Sequence, residues 1–497
     1  MLRLALGVLA AVPVLASTCE DLASRKLPDT AITLAEAVPA GELTLPGGRG
    51  PAGTTTYKDL PAFCRVAATL RPTSDSDIRI EVWLPTSNWN GKFQAVGNGG
   101  WAGVISYREM ADALRAGYAT ASTDTGHVGG SGKFAYGHPE KLIDFAYRSE
   151  HEMTLKAKAL VNAFYGSAPK YSYWNGCSTG GRQGLKEAQR YPADYDGIIA
   201  GAPANRSALA LWIAFAVLKD PASYIPASKY PLVHQAVLAA CDAQDGLKDG
   251  LIQDPRRCHF DPKVLECKGG DEASCLTAPQ VEAARKIYTA ATNPRTGEKL
   301  FPSLVPGTEL GWAVLGGGPG PSAIILDQYR YVAFQDPNWN WRTFDFDKDI
   351  ARSERPDILV MNATDPNLSA FFAHNGKLLL YHGWSDPNIS ALSTIQYYES
   401  VVDTMGTAKT ANNVRLFLEP GMGHCGGGEG PNVFDKVGAM EQWVEKGRAP
   451  ERIVASHAVN GKVDRTRPLC PYPQVAEYKG SGSIDDAANF VCKESKQ

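Results

Sequence analysis

At 497 residues, with 44% hydrophobic and 21% charged residues, the chain has the make-up of a soluble globular protein large enough for an enzyme body with one sizeable insertion. A net charge of −3 provides no basic surplus to attract phosphate backbones, which argues against nucleic acid as a partner. Past the N-terminus no stretch reaches eighteen apolar residues, so no membrane span is expected.

The chain opens with MLRLALGVLAAVPVLASTC: Arg3, an apolar run from Leu4 to Leu15, and Val14-Leu15-Ala16 as a small-residue cleavage site. Residues 1–16 read as a secretory signal peptide, too short to span a bilayer, so the mature protein is expected outside the cell. In an oxidising compartment an even number of cysteines suggests disulfides, and there are ten, none in a CxxC pair. Proximity suggests Cys19–Cys64, Cys241–Cys258, Cys267–Cys275 and Cys470–Cys492, which leaves Cys177 and Cys425.

Short apolar runs followed by turn residues and helical patterns predict strands at Ile78–Leu84, Phe93–Val96, Tyr118–Ser122, Tyr171–Trp174 and Gly197–Ala200, and again at Lys377–Tyr381 and Val414–Leu418. Strands alternating with helices predict a mostly parallel sheet covered on both faces. From 205 to 375 the rhythm is lost in a segment rich in Pro, Gly, Asp, Trp and Tyr. The reading is an α/β fold whose body, 17–204 and 376–497, carries an inserted lid at 205–375.

Gly176-Cys177-Ser178-Thr179-Gly180 follows the strand at Tyr171–Trp174 and precedes a helical stretch, the strand-turn-helix context of a nucleophile elbow. A side chain at position 176 or 180 would clash as the backbone folds under the serine. An orienting acid and a base are expected downstream in the order Asp then His, each past a late strand. Asp386 in YHGWSDPN and His424 in PGMGHCGGG meet that order. His382, at the end of an apolar strand, reads as a packed core histidine, and His127 lies upstream of the serine, in the wrong order. If Ser178 and His424 meet, their neighbours Cys177 and Cys425 fall within disulfide range, which would tie the elbow to the histidine loop.

Cys177-Ser178, Asp386 and His424-Cys425 together resemble the Cys-Ser, Asp, His-Cys pattern of the tannase and feruloyl esterase family, over nearly the whole mature chain. The resemblance implies an α/β-hydrolase fold with a large lid ahead of the acidic residue, and hydrolysis of hydroxycinnamoyl or galloyl esters. A branch of that family cleaves an aromatic polyester monoester. It also implies a structural calcium ion in the lid, at CDAQDGLKDGLIQDPRRC, with carboxylates from Asp242, Asp245 and Asp249 and backbone carbonyls from Leu247 and Leu251. Three closely spaced aspartates repel one another without a cation, and a hard cation wants several oxygens from a tight turn.

Oxyanion donors are expected from Thr179 N–H and from the GNGGW loop, at Gly100 or Gly99. The lid aromatics Tyr329, Tyr331, Phe334, Trp339, Trp341, Phe344 and Phe346 read mainly as lid core, with one or two expected to face substrate. The expected function is a secreted serine carboxylesterase acting on a small aromatic ester of the feruloyl type. The alternatives are galloyl or polyester-monoester hydrolysis, and a hydrolase-fold or calcium-dependent carbohydrate-binding protein without catalysis. The sequence leaves a homodimer open.

Overall fold

Nine strands form the central sheet of the computed structural model, which describes residues 17–46, 54–206, 212–316 and 318–494. The expected signal peptide, 1–16, lies outside the described residues. In chain order the strands are β1 (Thr30–Val38), β2 (Phe63–Leu70), β3 (Ile78–Pro85), β4 (Lys92–Val96), β5 (Ala119–Thr123), β6 (Tyr171–Cys177), β7 (Gly197–Gly201), β8 (Lys377–Gly383) and β9 (Val414–Glu419). Their spatial order is β1-β2-β3-β5-β4-β6-β7-β8-β9. The six strands from β5 to β9 in that order are parallel, while β1, β2 and β3 pair antiparallel at one edge.

Every residue of β7 and of β8 is buried, the expected outcome for Gly-Ile-Ile-Ala-Gly and Lys-Leu-Leu-Leu-Tyr-His-Gly runs covered on both faces. Alternation along the strands divides the core. Trp174, Ile198, Leu378, Leu380 and Leu416 point to one face, packing against Leu160 of α1 (Ser149–Tyr165), Leu185 of α2 (Thr179–Arg190) and Val401 of α3 (Ala391–Met405). Tyr173, Ile199, Leu379 and Phe417 point to the other, against Met440 and Trp443 of α4 (Lys436–Lys446). Each such large buried side chain contributes roughly 1.5–3 kcal/mol of transfer free energy.

Among the described residues between β7 and β8, no strand joins the main sheet. Helices at Trp212–Leu218, Tyr230–Cys241 and Ala278–Ile287 surround a separate apolar core built on Phe215, Trp312, Tyr329, Trp339 and Phe344. Phe215 is its centre, with ring centroids 4.8 Å from Tyr329 and 4.7 Å from Phe344. The five disulfides are those the sequence suggests, with Cα–Cα distances from 5.0 to 5.9 Å. Among the described residues no helix is long and apolar enough to cross a membrane.

Candidate active site

The parallel strands direct four loops to one edge of the sheet. Asn98–Gly100 follows β4, Ser178 follows β6, Asp386 follows β8 and His424 follows β9, and the carboxyl edge of a parallel sheet is where open α/β sheets place their ligands.

Ser178 sits at φ 63°, ψ −119°, a conformation few non-glycine residues adopt, in a turn between β6 and α2 held by its neighbours. Its N–H donates to Gly201 O at 2.9 Å, and its carbonyl accepts from Arg182 N–H at 3.0 Å and Ala204 N–H at 3.1 Å. A Cβ at Gly176 would lie 2.5 Å from Gly180 O, and one at Gly97 would lie 2.5 Å from Gly180 Cα. Glycine at 176 and 97 is therefore what allows the elbow and the loop after β4 to approach each other.

That loop is fixed to α2. Asn98 O accepts Gly180 N–H at 2.8 Å, and Asn98 N–H donates to Gln183 Oε1 at 3.0 Å. The buried Asn98 amide donates to Thr123 O and Val104 O, both at 2.9 Å. Thr179 Oγ1–H then donates to Gly100 O at 3.0 Å. Gly100, rather than Gly99, lines the cavity with Thr179, and at φ 56° it takes the left-handed conformation open to glycine. The α2 N-terminus adds its partial positive charge there.

Asp386 is almost fully buried, and its carboxylate accepts four hydrogen bonds. Oδ1 accepts Asn388 N–H at 2.7 Å and Ile389 N–H at 3.1 Å. Oδ2 accepts His424 Nδ1–H at 2.7 Å and His382 Nε2–H at 3.1 Å. Burial acts to raise this carboxyl, but the His424 charge and the hydrogen bonds from His382 and His424 outweigh it and hold it below the ordinary carboxylate range. With Nδ1 donating, His424 keeps its Nε2 lone pair for a proton.

Ser178 and His424 line the same cleft, which is open at its mouth. Their chain neighbours are covalently joined: Cys177 and Cys425 have Cα atoms 5.9 Å apart, and Cys425, like Ser178, has a positive φ, of 64°. The structure thus brings together the serine, the acid and the base from three separate segments. Such a set can transfer an acyl group through a covalent serine ester.

The structure adds to one sequence reading and corrects part of another. His382 is buried as expected of a core histidine, yet it also touches the triad carboxylate, with Nε2–H shared with Ile389 O at 3.0 Å and Nδ1 2.8 Å from Thr394 Oγ1. The signal available was its spacing: it lies four residues before Asp386, across the turn that ends β8. Of the seven aromatics read mainly as lid core, with one or two expected to face substrate, none lines the cleft. Six of them pack on one another around Phe215 as the core of the inserted segment, Tyr331 meets Tyr136 of the body with ring centroids 6.4 Å apart, and the aromatic wall of the cleft comes from Trp101 and Phe145. His127 stacks on Phe134 at 3.9 Å and hydrogen-bonds Trp101 O at 2.9 Å, supporting the loop after β4.

In the lid, Asp242 accepts N–H from Asp249 and Gly250, Asp245 accepts from Leu247, and Asp249 accepts from Leu251. Asp249 Oδ2 also pairs with Arg467 at 2.6 Å, both nearly inaccessible. Burial and the nearby Asp249 and Asp242 charges push the Asp245 carboxyl up, against the Leu247 N–H bond and Arg467. A turn of hard oxygen donors under mutual repulsion fits a hard cation such as calcium.

The family model for tannase and feruloyl esterase matches residues 64–493. An uncharacterized esterase of Xanthomonas campestris pv. campestris is 42% identical, the alignment covering 99% of this chain and 95% of that one. A probable feruloyl esterase B-2 of Aspergillus terreus is 37% identical over 95% of this chain and 94% of its own. The solved structure of feruloyl esterase B from Aspergillus oryzae superposes with a TM-score of 0.89 at 33% identity, covering 96% of this chain and 99% of that one. With the α/β-hydrolase sheet, the elbow and the Cys177–Cys425 link in place, these matches mean that the chain belongs to the tannase and feruloyl esterase family.

Proposed function

We propose that the protein is a serine carboxylesterase of the feruloyl type, hydrolysing esters of hydroxycinnamic acids through an acyl-enzyme. The observation that carries this is the His424–Asp386 hydrogen bond beside an elbow serine that lines the same apolar cleft. His424 Nε2 takes the Ser178 proton as Oγ attacks the ester carbonyl, and Asp386 holds the imidazole tautomer and stabilises the imidazolium. Thr179 and Gly100 N–H groups bind the oxyanion. His424 returns the proton to the leaving alcohol, and a water activated by the same base frees the acid. Trp101 and Phe145 offer flat apolar surface to an aromatic acyl group.

The protein acts outside the cell, with residues 1–16 removed on export; its five disulfides suit an oxidising compartment. Calcium is held in the lid at Asp242, Asp245 and Asp249, with the Leu247 and Leu251 carbonyls, and neutralises carboxylates that otherwise repel. The deciding experiment measures initial rates on methyl ferulate, chlorogenate, methyl gallate and a terephthalate monoester, for wild type and Ser178→Ala. Cleavage of methyl ferulate that vanishes in the variant supports the reading; no cleavage of any ester by folded wild type rejects it.

A further inference from the structure

The cleft wall is largely apolar, and one buried polar side chain in it stands without a partner. Gln328 lines it, is fully shielded from solvent, and has neither a donor for its Oε1 nor an acceptor for its Nε2 among the described residues. The other buried polar side chains in the wall are already committed: Thr179 Oγ1–H donates to Gly100 O, and the Arg182 guanidinium donates to the carbonyls of Ala146, Phe145 and Met361. Buried amides in native proteins are almost always paired, so one that is not calls for a partner from outside the chain.

Gln328 is held in position. It opens a π-type turn, Gln328–Ala333, the kind of helical irregularity that concentrates at functional sites. The short helix before it, Ala323–Asp327, is tied to the body at two points. Trp101 Nε1–H donates to Ile324 O at 3.1 Å, and Asp327 Oδ2 accepts Ser131 Oγ–H at 2.6 Å and Gly132 N–H at 3.0 Å. An amide with one acceptor and two donor positions thus shares the cleft wall with Trp101, Phe145, Leu315, Ile325 and Met361.

We infer that Gln328 reads the ring substituents of the acyl group: its Oε1 accepts the phenolic O–H of a para-hydroxylated aromatic acid, and its Nε2–H donates to an oxygen on the adjoining ring carbon. The inference rests on the aromatic-ester reading above and deepens it by assigning the chemical selector. A ring bearing a hydroxyl pairs the amide when it binds. A bare ring leaves the amide unpaired in the complex too, so discrimination falls on the hydroxyl itself. A neighbouring methoxyl or hydroxyl oxygen meets the second half of the amide, which an isolated carbonyl or ammonium could not do.

The test compares kcat/KM of wild type and Gln328→Leu on methyl ferulate, methyl p-coumarate and methyl cinnamate. Leucine should lower the first two by roughly 10- to 100-fold while methyl cinnamate stays within about threefold, inverting the preference. Should leucine fail to fold there, Gln328→Met, unbranched and of similar length, gives the same readout. A uniform change on all three esters, or none, overturns the assignment and leaves Gln328 a core amide. A wild type that cleaves none of the three yet still hydrolyses p-nitrophenyl acetate removes the aromatic-ester reading, and this assignment with it.

Discussion

His382 Nε2 lies 3.1 Å from Asp386 Oδ2, the same oxygen that receives His424 Nδ1–H at 2.7 Å. Two imidazoles therefore converge on one carboxylate oxygen, and His382 fixes the direction from which that oxygen meets His424. His382→Ala removes the second donor and leaves a buried oxygen with room to rotate. We expect kcat to fall roughly 10- to 100-fold with KM little changed, since small displacements in a catalytic set are expensive in rate but not in binding. His382→Gln, which can still donate to Asp386, should recover much of the loss. A KM effect as large as the kcat effect, or no recovery with glutamine, would mean that His382 acts only by packing.

The Cys177–Cys425 bond closes a loop of 248 residues between the elbow and the histidine loop. In the chain-entropy treatment, loops of this length give about 5 kcal/mol of stabilisation, with measured disulfides commonly giving less. The paired substitution Cys177→Ala with Cys425→Ala should therefore lower the melting temperature. It should also lower kcat at temperatures where the protein remains folded, because Ser178 and His424 lose their covalent spacing. Removing Cys470–Cys492, distant from both loops in the chain, should cost stability while leaving kcat of the folded fraction near wild type. Equal kcat in the two double variants would show that the link near the serine is structural alone.

Residue chemistry explains why parts of this arrangement were legible before the fold was known. The buried parallel strands read as unbroken apolar runs, so the positions of Ser178, Asp386 and His424 just past strand ends could be read directly. Of the antiparallel edge only β3, read as Ile78–Leu84, is legible in the same way. Strand Thr30–Val38 has no fully buried residue, and its pattern of exposure has no strict alternation to detect. The cleft wall was equally invisible, because Trp101, Phe145, Ile213, Gln328 and Met361 come from separate segments with no common periodicity. The aromatic density between 329 and 346 reads correctly as mainly core, six of the seven rings packing around Phe215, but the one or two expected to face substrate do not reach the cleft.

Calcium removal tests the lid turn. With Asp245 pushed up by burial and by the Asp249 and Asp242 charges, extracting a bound cation leaves close carboxylates that Arg467, paired with Asp249, offsets only in part. Chelation should lower the melting temperature by several degrees, restored by added calcium, while kcat on a small ester at 25 °C changes less than about twofold. Asp245→Asn, which relieves repulsion but weakens cation binding, should reduce the calcium-dependent shift. An unchanged melting temperature across chelator and calcium would dismiss the lid ion.

Glu150 offers a pH-dependence whose sign can be worked out. It is buried on α1, where Ser149 Oγ–H donates to it at 3.1 Å and Gln183 Nε2–H also reaches it, and burial raises its carboxyl to about 7, against Arg182 and those hydrogen bonds. Its ordinary value is 4.5, so between those two pH values the folded protein holds a proton that the unfolded chain has released. Stability from this group therefore falls as pH rises through that window and levels off above about 7, for a total of about 3 kcal/mol at most. Asp124, raised by burial to about 7, acts in the same direction. Glu150→Gln keeps the shape and the Gln183 contact but cannot ionise, so it should lose less stability than wild type between pH 5 and pH 8. Because Gln183 also holds Asn98 and the loop after β4, the variant should in addition hold kcat more constant across that range. Parallel melting curves for the two proteins, with the same pH slope, would show that Glu150 is not the group that carries it.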